Sequence, residues 1–270
     1  MSLTLVTGAT GFVGRQIVAA LKEAGCSLRI VTRDESLVEG DVAHTPDLFN
    51  ESPDFWRAAF DGVERVVHAA WYAEPGRYVT SPLNLTCMAG TLRMAEAAAA
   101  AGVKRFTGVG TCFEYDLTRG YLTTGTPLMP RSPYGAAKAG TFMALAQTLP
   151  RMGLSFAWCR LFYLYGEGED SRRLAPYLHE RLSRGEAAEL TSGRQIRDFL
   201  DVAEAGRRIA QVALGDGEGA FNICSGEAIT VAEFANRIAD QYGRRDLLRF
   251  GARPDNAEDP PCVIGQPSAT

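Results

Sequence analysis

The chain has 270 residues and a formal net charge of −4, with 46% hydrophobic and 22% charged residues, which suits one large α/β domain, alone or with a small lobe. The weak acidity argues against a nucleic-acid-binding surface, which needs a basic face. No apolar stretch has the length of a membrane span, and the first predicted strand follows Met1 too closely for a signal peptide, so we expect a cytoplasmic protein without a membrane segment.

A strand, a glycine-rich turn and a helix come first along the chain. An apolar run at positions 3–6 leads into Gly-Ala-Thr-Gly-Phe-Val-Gly, and apolar residues then recur at helical spacing before a second apolar run at 28–31. Glycines at the first turn of such a βαβ unit permit a tight turn and let the backbone approach a pyrophosphate, which faces the helix N-terminus. The residues predicted to contact a dinucleotide cofactor here are Gly8, Thr10, Gly11, Phe12, Val13 and Gly14.

The spacing of these glycines distinguishes two families of nucleotide-binding fold. Here it is Gly-x-x-Gly-x-x-Gly, and Thr7 precedes it. This arrangement resembles the extended branch of the short-chain dehydrogenase/reductase superfamily, whose members act mostly on nucleotide sugars. The resemblance implies an NAD(P)-dependent enzyme with a nucleotide-sugar substrate, and it brings the family's expectation of a homodimer formed through a pair of helices.

The end of the second strand bears on the choice of cofactor. NAD-specific folds place an acid there to hold the ribose hydroxyls, whereas an arginine accommodates the 2′-phosphate of NADP. This chain has Thr32 at the usual position of the acid, then Arg33 and Asp34. We therefore favour NADP(H) and keep NAD(H) open, because Arg33 could also stack on the adenine of either cofactor. The resemblance also implies that Asp41 and Val42 lie near the adenine.

Strands and helices alternate through the first two-thirds of the chain. Such alternation predicts a Rossmann-type, doubly wound parallel sheet with helices on both faces. Ligands of such sheets bind beyond the carboxyl ends of the strands. The predicted elements are strands at 63–70, 103–109 and 154–162 and helices at 83–101 and 133–152.

Tyr134 and Lys138 lie four residues apart on the helix predicted at 133–152, so they share one face. A free tyrosine has a pKa of about 10 and is a poor base at neutral pH, but a neighbouring ammonium group lowers that pKa. The tyrosine can then exchange a proton with a carbonyl or alcohol oxygen. Because the pair follows a glycine motif, it predicts a catalytic acid–base with a lysine that also holds a cofactor ribose.

A hydroxyl group at the end of the preceding strand completes the predicted catalytic group. Nucleotide-sugar epimerases resemble Ser-Ser-Ser-x-x-Val-Tyr-Gly at this point, and alignment on Tyr115 puts Thr111 at the catalytic hydroxyl position. Nucleotide-sugar 4,6-dehydratases carry Thr-Asp-Glu instead, and their two acids drive the elimination of water. This chain has Cys112 and Phe113 there, with Glu114 displaced by one position, which disfavours a dehydratase. We expect Thr111, Cys112 and Phe113 to lie beside the substrate.

The resemblance extends along essentially the whole chain. His-Ala-Ala at 68–70 resembles the family's cofactor-lining motif, and Asn84 with the Gly-Thr pair at 90–91 resembles its Asn-x-x-Gly-Thr helix. The segments at 160–166 and 195–199 resemble Arg-x-x-Asn-x-Tyr-Gly and Arg-Asp-Phe, although a tyrosine replaces the asparagine. Two arginines would grip the diphosphate, a task that suits a guanidinium fork. The resemblance assigns Ala69 and Ala70 to the cofactor, and Trp71, Tyr163, Arg197 and Arg253 to the substrate, the two arginines to its diphosphate.

The pattern of elements changes after Gly166. The sequence predicts a Rossmann domain at 1–166, which carries the cofactor and the catalytic residues, and a smaller substrate-binding α/β lobe at 167–270. Elements of the chain are allowed to cross between the two. The elements predicted in the second part are helices at 174–183, 202–214 and 230–242, strands at 189–190 and 220–223, and a loop at 253–270.

The cysteines and histidines indicate no metal site. Six cysteines are scattered without a Cys-x-x-Cys pair, which favours reduced thiols over disulfides. The chain has three histidines, and no predicted helix carries two at ligand spacing.

The predicted reaction is reduction of a nucleotide-activated 4-keto-6-deoxy sugar. Tyr134 would protonate the oxygen, Thr111 would polarise it, and Lys138 would orient the nicotinamide. A 4-epimerase that holds NAD tightly would use the same three residues and is the first alternative. A non-catalytic NAD(P)-sensing protein is the alternative from another class.

Overall fold

The computed structural model describes residues 2–34, 36 and 40–269, and the structural statements below concern these residues. Short 3-10 helices at Leu48–Asn50, Cys112–Glu114, Leu117–Arg119, Pro150–Met152 and Arg245–Leu247 join the main elements. The strands are β1 (Leu3–Thr7), β2 (Ser27–Thr32), β3 (Asp41–His44), β4 (Val63–His68), β5 (Arg105–Thr111), β6 (Tyr121–Leu122), β7 (Ser155–Leu161), β8 (Tyr163–Tyr165), β9 (Ala188–Glu189), β10 (Ile196–Arg197), β11 (Phe199–Asp201), β12 (Gly219–Ile223), β13 (Ile229–Thr230), β14 (Leu248–Arg249) and β15 (Cys262–Gly265). The helices are α1 (Phe12–Glu23), α2 (Pro53–Ala59), α3 (Leu83–Ala100), α4 (Pro133–Thr148), α5 (Leu174–Ser183), α6 (Val202–Leu214) and α7 (Val231–Asp240).

The largest sheet in the described chain has seven parallel strands in the order β3-β2-β1-β4-β5-β7-β12. The strand order changes direction between β1 and β4, and this switch point opens a crevice at the carboxyl edge. A strand in a sheet covered on both faces has both of its own faces buried, and every residue of β5 is buried. The doubly wound Rossmann fold is therefore confirmed.

Helices cover both faces of this sheet. On one face, Ile17 and Leu21 of α1 share an apolar cluster with Ile209 of α6. On the other face, Met94 of α3 and Leu145 of α4 belong to a cluster with residues of β5 and β7. The two clusters leave the strand ends as the edge of the sheet that ligands can reach.

The remaining elements build a smaller lobe. An apolar cluster joins α5 and α7 with β9 and β14, and β13, β10, β15 and β6 form a four-stranded sheet. Thr230 begins α7 with a capping box, because its side chain accepts from the Glu233 amide at 3.0 Å while the Glu233 carboxylate accepts from the Thr230 amide at 3.0 Å.

The predicted loop at 253–270 is wrong for Cys262–Gly265, which is β15. Val263 is fully buried and pairs with Arg197 of β10, and Ile264 pairs with Tyr121 of β6. Partners far away in the sequence hold this strand. The surrounding Pro, Asp and Asn residues gave no local sign of it.

Element boundaries follow the prediction closely. α5 and α6 have the predicted limits, whereas the strand predicted at 103–109 is β5, two residues later, so that Thr111 belongs to it. α6 packs on α1, and β12 pairs with β7, so the chain crosses back to the large sheet after Gly166. The division at Gly166 itself stays a prediction. No helix in the described ranges is long and apolar enough to cross a membrane, and all six cysteines are free thiols.

Candidate active site

A cavity of about 1660 Å³ lies at the carboxyl ends of the parallel strands and reaches into the second lobe. It is where the switch-point rule expects a ligand. Residues that follow six strands of the large sheet line it, together with residues of the second lobe. The sequence-predicted residues that line it are Gly8, Thr10, Gly11, Phe12, Val13, Gly14, Thr32, Arg33, Ala69, Ala70, Trp71, Thr111, Cys112, Phe113, Tyr134, Lys138, Tyr163, Arg197 and Arg253.

The glycine-rich turn leaves room that side chains would fill. Gly8 has a φ of +73°, and a Cβ on it would lie 2.6 Å from the Ala70 amide nitrogen. A Cβ on Gly14 would collide with the Gly8 carbonyl group. No side chain caps the N-terminus of α1 at Gly11, and the first turn carries no acid. The amides of this turn therefore suit a diphosphate, because they and the helix dipole both favour negative charge.

His68 fixes the ends of β1 and β4 relative to α3. Its Nδ1 lies 2.7 Å from the Thr7 hydroxyl, and its Nε2 lies 2.9 Å from the Thr91 hydroxyl. Burial lowers the pKa of His68 to about 3, so the ring is neutral at physiological pH. This neutral bridge holds the segment from Ala69 to Trp71 beside the glycine turn.

Thr111 ends β5 and is held by a buried ion pair behind it. Its amide donates to Glu114 Oε1 at 2.9 Å, as does Trp158 Nε1 at 2.9 Å, while Arg160 Nε donates to Glu114 Oε2 at 2.6 Å. Glu114 is fully buried and does not line the cavity. Glu114 therefore points away from the cavity, and the described residues at this position of the wall lack the acid pair of a dehydratase.

Tyr134 lies in the first turn of α4 with its phenol beside Thr111. Ser132 caps this helix by accepting from the Gly135 amide at 3.1 Å. The Thr111 hydroxyl lies close enough to the Tyr134 phenol to favour its charged form, and the Tyr78 ring meets the Tyr134 ring edge-on at 4.8 Å between centroids. Burial raises the pKa of Tyr134 above its ordinary value, so the phenol is protonated at neutral pH.

Lys138 lies one turn further along α4 and is buried. Its Nζ donates to the Val109 carbonyl at 2.6 Å and lies 3.8 Å from the centre of the Trp71 ring. Burial lowers the pKa of Lys138 to about 7. The predicted lowering of the Tyr134 pKa by Lys138 is therefore not observed here, because burial outweighs it and the ammonium group is engaged by Val109 and Trp71.

The second lobe contributes aromatic and basic side chains to the cavity. Tyr163 lies 6.3 Å from Phe113 between ring centroids, and the Arg197 guanidinium lies 5.1 Å from the Tyr163 ring. Arg197 is 4% exposed and donates to the Pro260 carbonyl at 2.8 Å. Of the two predicted arginines, Arg253 is exposed to solvent, whereas Arg197 is buried.

The family of the protein follows from its sequence as a whole. Residues 4–224 match the model of the NAD dependent epimerase/dehydratase family. The chain belongs to this family. The predicted family resemblance and the predicted class of enzyme are therefore confirmed.

Three comparisons show how far the likeness of this epimerase/dehydratase-family protein extends. It is 24% identical to a dTDP-6-deoxy-L-talose 4-dehydrogenase (NAD(+)) of Aggregatibacter actinomycetemcomitans, over 97% of this chain and 98% of that protein. It is 29% identical to a dTDP-glucose 4,6-dehydratase of Streptomyces griseus, over 88% and 78%. The solved structure of MoeE5 in complex with UDP-glucose and NAD is similar with a TM-score of 0.80 and 28% identity, over 97% and 88%.

At the end of β2, the Arg33 guanidinium has no ion-pair partner among the described residues. Thr32 Oγ1 accepts from the Asp34 amide at 3.2 Å, and Asp34 in turn accepts from the Ser36 hydroxyl at 2.6 Å, which lowers its pKa. The Arg33 guanidinium is exposed and makes no hydrogen bond or ion pair with the described residues.

Asp41 and Val42 are not in the cavity, which corrects their assignment to the adenine. They begin β3, at the opposite end from its carboxyl edge, and Asp41 accepts from Arg29 Nε at 2.9 Å. Asp47 and Leu48 follow β3 and line the cavity instead. Asp47 and Leu48 could have been found from the sequence by looking for an acid that follows the strand rather than for one that begins it.

Sequence reasoning also missed residues of the loop and helix after β8. Glu169 and Arg173 line the cavity, as does Tyr78 from the segment before α3. The acidic run Glu-Gly-Glu-Asp after Gly166 was the available signal. Nothing local distinguishes its one buried acid from exposed ones.

Proposed function

We propose that the protein is an NAD(P)H-dependent reductase of the 4-keto group of a nucleotide-activated 4-keto-6-deoxy sugar. The observation that carries this proposal is the state of Tyr134, whose pKa burial raises beside the Thr111 hydroxyl. A phenol that stays protonated at neutral pH is a proton donor, which reduction of a ketone needs, whereas oxidation of an alcohol needs a base. The likeness to a 4-dehydrogenase over nearly its full length supports reaction at C4.

The residues of the chain divide the proton chemistry among them. The bound nicotinamide supplies the hydride that adds to the keto carbon. Tyr134 donates its proton to the carbonyl oxygen while the Thr111 hydroxyl polarises that oxygen. Lys138 stabilises the phenolate that remains, and its pKa of about 7 suits it to return a proton to Tyr134.

The wall of the cavity supports this reaction over elimination. Cys112 and Phe113 occupy the positions where dehydratases carry two acids, and burial raises the pKa of the Cys112 thiol to about 12. Neither residue can remove or supply a proton at neutral pH. A dehydratase is therefore disfavoured even though the related Streptomyces griseus protein is one.

The cofactor and the substrate would share the cavity end to end. Amides of Phe12 and Val13 would face the cofactor diphosphate, and Lys138 would hold the nicotinamide ribose. At the other end, Arg253 would reach the substrate diphosphate, whereas Arg197 would order Tyr163 beside the sugar.

The preference for NADP(H) is a separate part of the proposal and depends on Arg33. The family is named for NAD, and MoeE5 was solved with NAD, so the support for NADP(H) is Arg33, which has no ion-pair partner among the described residues, and the threonine at position 32 in place of an acid. Titration with NADPH and NADH tests it. We expect the Arg33→Ala variant to lose the preference for NADPH and keep its affinity for NADH.

A 4-epimerase is the second candidate, because Thr111, Tyr134 and Lys138 serve it equally and the family carries its name. An epimerase regenerates its cofactor in every turnover, whereas a reductase must exchange it. Denaturing the purified protein and identifying any released nucleotide separates the two. Stoichiometric NAD would favour the epimerase.

The direct test is turnover. Protein incubated with dTDP-4-keto-6-deoxy-D-glucose and NADPH or NADH should oxidise the cofactor and release a dTDP-6-deoxyhexose. Conversion of UDP-glucose to its 4-epimer without net cofactor oxidation would instead support the epimerase. A protein that binds neither cofactor would contradict both.

We also propose a homodimer through α3 and α4, which are neighbours on one face of the sheet. Both helices carry exposed apolar side chains there, with Leu85 70% exposed and Met143 52% exposed. Large exposed apolar side chains grouped on one face are typical of a protein interface.

A further inference from the structure

Two residues in the wall of the cavity carry a buried oxygen without a partner. In the described part of the chain, five buried side-chain atoms make no hydrogen bond, and two of them, Glu169 Oε2 and Gln195 Oε1, belong to cavity-lining residues. An unpaired buried polar atom costs about 1–3 kcal/mol, and more when it is charged. Native structures rarely keep such an atom unless a ligand or water satisfies it.

Glu169 is the more costly of the two because it is an acid. Its side chain is 6% exposed, and its Oε1 lies 3.9 Å from Arg173 Nε, which is too long for a hydrogen bond. Burial raises the pKa of Glu169 to about 6, while Arg173 and the backbone of Gly166 favour the charged form and Asp170 opposes it. The carboxyl group is therefore largely ionised at neutral pH, and its Oε2 has no hydrogen-bond partner among the described residues.

The position of Glu169 is on the catalytic side of the cavity. Burial raises the pKa of the Tyr78 phenol, Glu169's neighbour Arg173 is close enough to oppose that rise, and the Tyr78 ring contacts that of Tyr134. On its other side, the Gly168 carbonyl accepts from Arg15 Nη2 at 3.3 Å, at the α1 end of the cavity. The segment that carries Glu169 thus contacts α1 through Gly168 and lies near Tyr78 through Arg173.

The chemistry of the missing partner follows from that of a carboxylate. An ionised carboxylate only accepts hydrogen bonds, so a phosphate, which also only accepts and is negative, would be repelled. The described residues hold no cluster of metal ligands. A neutral group with hydrogen-bond donors remains, and hydroxyl groups are what a sugar presents.

We propose that Glu169 binds a hydroxyl group of the hexose ring of the substrate and so selects for the sugar rather than for the nucleotide. This inference rests on the proposed function in that the ligand is a nucleotide sugar. The ribose hydroxyls of the cofactor are a second source of the same chemistry, and the experiment separates them.

The test compares ligands with and without the hexose. Binding of dTDP, dTDP-L-rhamnose, UDP, UDP-glucose and NADH is measured by calorimetry for the wild type, Glu169→Ala and Glu169→Gln. Glu167→Ala is the control, since it removes an exposed acid of the same loop that does not line the cavity. We expect Glu169→Ala to weaken the nucleotide sugar at least tenfold and leave the nucleoside diphosphate and NADH unchanged. Glu169→Gln, which keeps an acceptor oxygen, should lose less.

Each other outcome overturns the inference in a distinguishable way. If the variant binds the nucleoside diphosphate and the nucleotide sugar more weakly by the same factor, Glu169 only supports Arg173. Weakening of NADH alone would assign the hydroxyl to the cofactor. Unchanged affinities would show that Glu169 binds no ligand group. A wild-type protein that binds none of dTDP, dTDP-L-rhamnose, UDP and UDP-glucose would overturn the proposed function and this inference with it.

Discussion

In this site the Tyr134 phenol is protonated at neutral pH, so it is ready to donate a proton rather than to accept one. Its phenol is buried beside the Thr111 hydroxyl, and the nearest ammonium group donates to the Val109 carbonyl instead. A proton donor of this kind contributes about 10²–10⁴-fold to a rate. The protonated phenol that reduction of a ketone needs is therefore maintained by the surroundings of one side chain.

Removing the Tyr134 hydroxyl tests this directly. We expect Tyr134→Phe to lower kcat by about 10²–10⁴-fold while the dissociation constant of the cofactor stays within twofold or so. Steady-state kinetics and a fluorescence titration with NADH measure the two quantities. Tyr121→Phe is the matched control, because Tyr121 is 54% exposed and outside the cavity. Full turnover by Tyr134→Phe would contradict the proposed role.

Lys138 links the site to the stability of the fold. Its pKa is about 7 in the folded protein, whereas the ordinary value, which applies to the unfolded chain, is 10.5. Between these values the unfolded state binds more protons, so the free energy of unfolding rises as the pH rises from 7 to 10.5. Below pH 7 the cost of burying the ammonium group is fully present.

Lys138→Met should therefore stabilise the protein at pH 7, by roughly 1–4 kcal/mol as for other buried charges replaced by apolar side chains, while it abolishes turnover. Urea unfolding at pH 7 and pH 9 checks the sign, since the gain should shrink at the higher pH. Lys104→Met, at an exposed lysine, should show no such dependence. A destabilised Lys138→Met would mean that the contact with Val109 outweighs the cost of burial.

At the scale of the element, the turn between β1 and α1 contains one glycine that packing requires and one that ligand binding requires. A Cβ on Gly14 would collide with the Gly8 carbonyl, whereas a Cβ on Gly11 would lie 3.3 Å from that oxygen, a close contact that a small shift relieves. The two glycines are thus required for different reasons.

We expect Gly14→Ala to lower the melting temperature and to abolish cofactor binding, because the turn must open. Gly11→Ala should keep the melting temperature within a few degrees and weaken cofactor binding by about tenfold or more, since the added methyl group stands where a diphosphate approaches. Differential scanning calorimetry with and without NADH distinguishes the two variants. Equal melting temperatures would refute the packing role of Gly14.

The elements that could be predicted are those whose signal is local. The glycine turn, the Tyr134–Lys138 pair and the limits of α5 and α6 depend on residues within one or two turns of each other. β15 and the buried Glu114–Arg160 pair depend on partners at least 46 residues away. Asp41 shows the intermediate case, since it begins β3 outside the cavity, whereas the acid that lines the cavity is Asp47, which follows β3.

At the scale of the whole molecule, the exposed apolar side chains of α3 and α4 predict self-association. We expect the wild type to sediment as a dimer, and Leu85→Glu with Met143→Glu to sediment as a monomer, because charge in a buried interface is costly. Met129→Glu, at another exposed methionine that lies on neither helix, is the control. Analytical ultracentrifugation at micromolar concentration measures the mass. A monomeric wild type would contradict the proposed interface.

The return of α6 and β12 to the large sheet limits how this enzyme can be rebuilt. β12 pairs with the edge of β7, and α6 shares the apolar cluster of α1, so the second half of the chain completes the large sheet as well as the wall of the cavity. Exchanging residues 167–270 for those of a relative would strip an edge strand and a covering helix from the recipient. A change of sugar preference, in the laboratory or in evolution, is therefore expected to proceed by substitutions in single loops around the cavity rather than by recombination of whole lobes.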